Sequence, residues 1–160
     1  MADDRAVSEV IGAVLVFALL VTTLSIYQVM AIPGQNASVE YKHSQAVVDD
    51  FEAFGAAALG AAETGQPTRV AVTTGRQYPD RMLFVNPPAP AGTLSTATVG
   101  TGTVRLANAT AVDGDAADFL DGDPVTYGTK ALVYEPGYHE YAEAPTPVYS
   151  TGVEANHFAD

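Results

Sequence analysis

Residues 10–32 read Val10-Ile11-Gly12-Ala13-Val14-Leu15-Val16-Phe17-Ala18-Leu19-Leu20-Val21-Thr22-Thr23-Leu24-Ser25-Ile26-Tyr27-Gln28-Val29-Met30-Ala31-Ile32, and no Asp, Glu, Lys or Arg occurs from residue 10 to residue 39. Wound as a helix, the run spans about 34 Å, enough to cross a hydrocarbon core of roughly 30 Å with slight tilt. Pro33-Gly34 follows and is expected to stop it. Only a short polar string, ending Asp3-Asp4-Arg5-Ala6-Val7-Ser8-Glu9, precedes the run, so the chain starts almost at the membrane.

The remainder is enough for one ordinary domain. The chain of 160 residues carries 19 acidic against seven basic side chains, a formal net charge of −12. Such a balance repels nucleic acid, which is therefore not an expected partner. With lysine confined to Lys42 and Lys130, the composition suits a surface that stays hydrated in concentrated salt, where like-charge repulsion is screened. A halophilic protein is the reading; an acidic secreted domain is the plainer one. Cysteine is absent, which excludes disulfides and thiolate metal sites.

After Pro33-Gly34, residues 38–63 place Val39, Val47, Val48, Phe51, Phe54, Ala58, Leu59 and Ala62 near helical spacing, with Glu40, Lys42, Asp49, Asp50 and Glu52 mostly elsewhere on the wheel. This predicts an amphipathic helix capped by Asn36 or Ser38 and ended by Gly65-Gln66-Pro67. Beyond Pro67, short runs rich in Val, Thr, Leu and Tyr alternate with Gly, Pro and Asp, the pattern of strands and turns. Strands are expected near 69–74, 81–85, 93–99, 102–106, 125–134 and 148–151, with a hairpin over 96–106. Residues 135–147 suit an irregular, tyrosine-packed loop. The fold class is α+β: a transmembrane helix at 7–33 behind a leader at 1–6, a linker and amphipathic helix at 34–67, and a β-rich extracellular head at 68–160. Asp160 is either a natural end or a point within a longer β-rich ectodomain.

The string Asp4-Arg5-Ala6-Val7-Ser8-Glu9-Val10-Ile11-Gly12, followed at once by Ala13-Val14-Leu15-Val16-Phe17, resembles the start of archaeal type IV pilins and pilin-like proteins, the haloarchaeal ones above all. The resemblance implies a leader cut by a membrane prepilin peptidase after Arg5-Ala6, with Val7 as the mature N-terminus. An ordinary secretory signal, with an apolar region of about 7–15 residues, would instead be discarded. The run here is longer and Val29-Met30-Ala31 is a poor cleavage site; a plain uncleaved anchor is the third reading. In bacterial pilins a Glu near the mature N-terminus can pair with a neighbour's terminal amine. Glu9 would hold that assembly role here, as third mature residue rather than fifth; an interfacial, hydrated Glu is the alternative. Ile32-Pro33-Gly34-Gln35-Asn36, Tyr78-Pro79-Asp80-Arg81, Phe84-Val85-Asn86-Pro87-Pro88 and Tyr134-Glu135-Pro136-Gly137-Tyr138 resemble an uncharacterised group of haloarchaeal membrane-anchored proteins sharing the pilin-like start, which brings class and location but no activity.

Asn36-Ala37-Ser38 and Asn108-Ala109-Thr110 match the N-glycosylation pattern, which an extracytoplasmic head would permit. The acids over 113–123 invite a calcium reading but miss the EF-hand frame, so no metal is expected. His43, His139 and His157 are scattered and no catalytic motif is present, so neither an enzyme nor a cofactor is expected. Tyr127, Tyr134, Tyr138, Tyr141 and Tyr149 read as half-buried packing with wet hydroxyls. The expected function is a pilin-like structural subunit of a surface filament or secretion-type pseudopilus, a homo- or hetero-oligomer held through its hydrophobic helix. The alternative is a non-polymerising, membrane-anchored surface domain that binds a partner or glycan.

The processing expectation is testable. Peptide mass mapping of the native protein should find Val7 at the mature terminus, and replacing Ala6 by a bulky residue should leave unprocessed precursor in the membrane. A terminus near Ile32 would show a discarded signal, and one at Met1 or Ala2 a simple anchor.

Overall fold

The computed structural model describes residues 2–98, 102–114 and 123–158, the side chains of residues 2–6 excepted. A single helix, α1, runs unbroken over Ala2–Thr64. The expected stop at Pro33-Gly34 does not occur, because Pro33 lies inside the helix. A proline there removes one amide donor and crowds the carbonyl four residues back, at a cost of about 3 kcal/mol. Tertiary packing offsets it: Ile32 and Asn36, on either side of the proline, are both buried, Asn36 against Arg81 of the head. Segments 7–33 and 34–67 are thus two halves of one element, and Asn36 and Ser38 stand in mid-helix rather than at a cap. The helix ends where Gly65-Gln66-Pro67 predicts. Gly65 turns left-handed (φ 67°) and its N–H donates to the Ala61 carbonyl at 2.9 Å.

The two halves differ in what surrounds them. From Val7 to Met30 the large apolar side chains are exposed all round the helix, which is long and apolar enough to cross a membrane. Its hydroxyls are satisfied internally: Thr22, Thr23 and Ser25 donate to the Ala18, Leu19 and Val21 carbonyls at 2.8 Å. That closure suits a medium without water. From Ile32 onward one stripe is buried, through Asn36, Glu40, His43, Val47 and Phe51, at intervals of three and four residues. Its upper part is apolar and its lower part polar. Glu40 belongs to this buried stripe, contrary to the wheel read from the sequence, whereas Leu59 is exposed.

The stripe's apolar part meets the head. Six strands follow: β1 Thr93–Ala97, β2 Thr103–Leu106, β3 Val125–Gly128, β4 Ala131–Glu135, β5 Thr146–Ser150 and β6 Val153–His157. β1, β4, β5 and β6 form one antiparallel sheet in that order. α1 packs on it at β5 and β6. Val47, Phe51 and Tyr134 are the buried centre, with Val72, Leu132 and Tyr149 against them. Full burial of each such apolar side chain contributes roughly 1.5–3 kcal/mol. Phe54 meets Tyr149 edge-on at 5.1 Å between ring centroids.

β1 and β2 do not form the expected hairpin. β1 pairs with β4 and β2 with β3, and between the two ladders the Thr129 N–H donates to the Gly102 carbonyl at 2.7 Å. The β1/β4 ladder of the four-stranded sheet is thus tied by this bond to a separate two-stranded ribbon, β2/β3. The strand expected over 125–134 is β3 followed by β4, interrupted at Thr129-Lys130. Of the acidic stretch 113–123, residues 115–122 lie outside the described residues. β5 answers the expectation at 148–151, while β6 was not expected. Register Ser150↔Val153 leaves a two-residue turn, Thr151-Gly152, both at positive φ (50° and 83°), the geometry that follows strand twist.

Residues 69–74 and 81–85 are not strands. The first segment is extended, but its backbone is tied to the helix instead of to a strand: the Thr73 N–H donates to Asp50 Oδ2 at 3.1 Å and the Thr73 carbonyl meets His43 Nε2 at 3.0 Å. Only Gly75 bridges a neighbour, Ala91, among the described residues of this stretch. The architecture is α+β, with an N-terminal helix and a β-rich head.

Gly92 shows how tightly the start of β1 is packed: a Cβ there would fall 2.3 Å from the Tyr134 ring, whereas one at Gly34, in mid-helix, would meet nothing within 4 Å. Gly92→Ala should lower stability by about 1–3 kcal/mol through overpacking, and Gly34→Ala should raise it by up to ~1 kcal/mol through helix propensity. Urea melts of the detergent-solubilised chain measure both, and shifts of the same sign would contradict this packing.

Candidate functional site

The polar part of the buried stripe is the densest constellation in the described residues. Glu40 is 0% exposed, yet it is held by four donors. Oε1 accepts from the Tyr78 hydroxyl in a short bond and from the His139 N–H at 3.0 Å. Oε2 accepts from the N–H groups of Glu140 and Tyr141 at 2.8 and 2.7 Å. Three consecutive amides converging on one anion form a backbone nest. The chain reaches this shape just after Pro136-Gly137, where a Cβ on residue 137 would lie 2.2 Å from the Ala91 carbonyl oxygen, so a side chain is excluded. Burial works to raise the Glu40 pKa, but Tyr78 and the three amides outweigh it and hold the carboxyl below the usual value. Tyr78 in turn is pushed up by its burial and by the carboxylate it serves.

One turn along the helix, His43 joins the same loop. The Thr73 carbonyl can only accept, which places the ring proton on Nε2 and leaves Nδ1 to accept from the Tyr138 hydroxyl at 2.7 Å. Burial holds His43 below its usual pKa, with Arg76 acting in the same direction. Tyr41 and Tyr141 meet edge-on at 5.5 Å, and Tyr138 stacks with Tyr141 at 6.3 Å. The loop at 135–147 is thus tyrosine-packed as expected. Tyr134 departs from the expected pattern by being wholly buried, its hydroxyl on the Thr74 carbonyl, and Tyr127 by being exposed.

Chemically, this cluster is a clamp. A carboxylate has about four lone-pair positions, and all of Glu40's are occupied by the chain itself. The helix, the 73–78 segment and the 138–141 loop are locked to one another through Glu40 and His43. Sequence reasoning had placed Glu40 on the solvent side. The signal that could have found it is the spacing Ile32, Asn36, Glu40, His43, Val47, Phe51, which continues the apolar stripe backward through polar residues.

The residues singled out in the sequence lie elsewhere. The side chains of Arg5 and Ala6 are outside the described set. Val7 and Glu9 are exposed on the first turns of α1, and Glu9 is the last charge before the apolar run. Asn36 is some 40 Å farther along the helix. It is fully buried, with its Oδ1 accepting from Arg81 Nη2 at 3.1 Å, so the folded head does not present it as a glycan acceptor. Asn108, exposed on the ribbon at φ 55°, is presented. The described residues contain no cluster of three or more metal-ligating side chains.

Glu40→Gln should cost at least ~2 kcal/mol, because an amide NH2 would face donors where the carboxylate accepted. The cluster also sets a pH dependence. His43, depressed, contributes stability that is complete above its unfolded pKa of 6.5 and is lost as pH falls toward its folded value; Glu40, also depressed, adds a loss below 4.5. Glu154, raised by burial and by Glu52, acts in the opposite sense. Thermal melts from pH 8 to 4 should therefore show stability falling below pH 6.5, and His43→Gln should flatten the upper part of that slope. An unchanged slope would remove His43 as its cause.

No family model and no solved structure matches the chain. It is 29% identical over 85 residues to an uncharacterised protein of Archaeoglobus fulgidus, a stretch that covers 53% of this chain and 15% of that protein.

Proposed function

We propose that the chain is a pilin-like structural subunit of a cell-surface filament or secretion-type pseudopilus, processed after Ala6 by a prepilin peptidase and assembled through its N-terminal helix. The observation that carries this reading is the division of α1: one unbroken helix whose first half is apolar with its large side chains exposed, and whose second half is clamped to a β-rich head. An uncovered apolar helix must be covered by something, lipid before assembly and neighbouring helices after it. Because the two halves are continuous, a bundle of the lower halves would carry the heads outward in a regular array. Glu9 would lie at the base of that bundle, two residues from the new terminus at Val7. The acidic surface, with Asn108 open to modification, suits a head outside the cell in a salt-rich medium.

A second reading, an anchored surface domain that does not polymerise, is favoured by one observation. Residues 82–85 lie against α1 below the rest of the head and occupy part of the surface a neighbouring helix would need.

Shearing separates the two. A filament subunit should leave intact cells with the sheared fibres and pellet with them at high speed, whereas retention of the whole chain with the membranes would sink the subunit reading. Protease added to intact cells should remove the head in either case; digestion only after lysis would refute the outward topology.

A further inference from the structure

Residues 82–85, Met82-Leu83-Phe84-Val85, break the pattern of an acidic head: Met82 is 101% exposed and Leu83 and Val85 78% each. They are grouped on one bend, next to the apolar half of α1. Phe84 meets Tyr27 at 4.9 Å between ring centroids, and Val21, Leu24 and Val29 line an open crevice with Leu83, Phe84 and Val85. At the loop's end the backbone of Val85 is closed off. The Gln28 side chain donates to the Val85 carbonyl at 2.9 Å and accepts from the Val85 N–H at 3.2 Å, so one amide satisfies both groups. Water would satisfy such groups without help; hydrocarbon would not.

The level of the loop follows from helix rise. With Val10 at one face of the hydrocarbon core, Gln28 lies about 27 Å along the helix, inside a core of roughly 30 Å. Residues 82–85 are tied to that level. Arg81, one residue earlier, is held higher, its Nη2 donating to Gln35 and Asn36 at 3.1 Å, some 10 Å farther up the helix and in the headgroup zone. Beyond the loop, the Asn86 side chain donates back to the Pro79 carbonyl at 2.8 Å, closing the neck.

We propose that residues 82–85 are a second membrane-insertion element, which seats Met82, Leu83 and Val85 among the acyl chains of the outer leaflet beside the helix, with Arg81 at the headgroups. The inference rests on the membrane placement of α1 proposed above and adds to it a head that grips the bilayer at two points. Apolar side chains exposed to water on a soluble face carry a transfer penalty proportional to their area, which insertion removes.

Because the chain has no cysteine, single-site labelling is direct. Full-length Leu83→Cys, Leu15→Cys and Val112→Cys, each carrying a nitroxide and reconstituted into phosphatidylcholine vesicles, report collision with oxygen, which concentrates in lipid, and with a water-soluble nickel chelate. All three positions are exposed, so the labels leave the packing untouched. The proposal expects Leu83 to resemble Leu15, with oxygen collisions several-fold above those with the chelate, and Val112, out on the ribbon, to show the reverse. Leu15 in lipid with Leu83 in water overturns the insertion and leaves the spanning helix standing. Both in water overturns the membrane reading itself. Protection of Leu83 from both reagents would assign the loop to a protein contact between copies and overturn its role in lipid.

Discussion

The register of the head on its helix is set by one buried carboxylate. Glu40 is out of reach of solvent, and desolvating an anion is unfavourable by several kcal/mol unless charge-assisted hydrogen bonds replace the lost water. Here four donors do so, and they come from two separate parts of the head, Tyr78 and the 139–141 amides. The apolar contacts of Val47 and Phe51 supply more area but little direction, since burial is proportional to area and indifferent to register. The carboxylate supplies the register. A shift of one residue along the helix would carry Glu40 away from the nest and place Val39 or Tyr41 against three amides with nothing to accept them.

The same seam explains why α1 remains a helix through Pro33. Helix propensity and the missing amide both argue for a break there, and in an isolated segment they would prevail. Ile32 and Asn36 are anchored on either side of the proline, the latter through Arg81, so the turn is enforced from outside. Below that point the helix is apolar all round and long enough to cross a membrane, and above it the helix is amphipathic because only one face meets the head.

Much of this organisation was legible in the residues. The charge-free run, the end at Gly65, the strands at β1, β2 and β5, and the tyrosine-rich loop at 135–147 all follow from local composition and turn chemistry. What was not legible depended on long-range pairing. Proline punctuation at residue 33 was overridden by packing that no local pattern encodes. The glycine-rich stretch between β1 and β2 reads as a tight turn, yet the two strands pair with β4 and β3 instead of with each other, partners that lie 19–42 residues ahead. β6 is short and carries Glu154, Asn156 and His157, poor strand formers that are recruited by the turn at Thr151-Gly152. Glu40 was misplaced because a carboxylate at helical spacing is ordinarily a solvated one. Its nest is assembled by residues a hundred positions away, and the backbone that builds it has no side-chain signature.

An unbroken helix has a rotational as well as a linear consequence. Each residue advances the helix by about 100° and 1.5 Å, so every residue of the apolar half is in fixed angular phase with the head. A flexible neck would let the head spin about its anchor and show any side to its surroundings. With α1 continuous and Glu40 setting the head's orientation upon it, the azimuth of the head is fixed relative to every face of the lower helix. Direction is thereby transmitted along the molecule, from the apolar half of the helix to the head, by the continuous backbone and the Glu40 clamp.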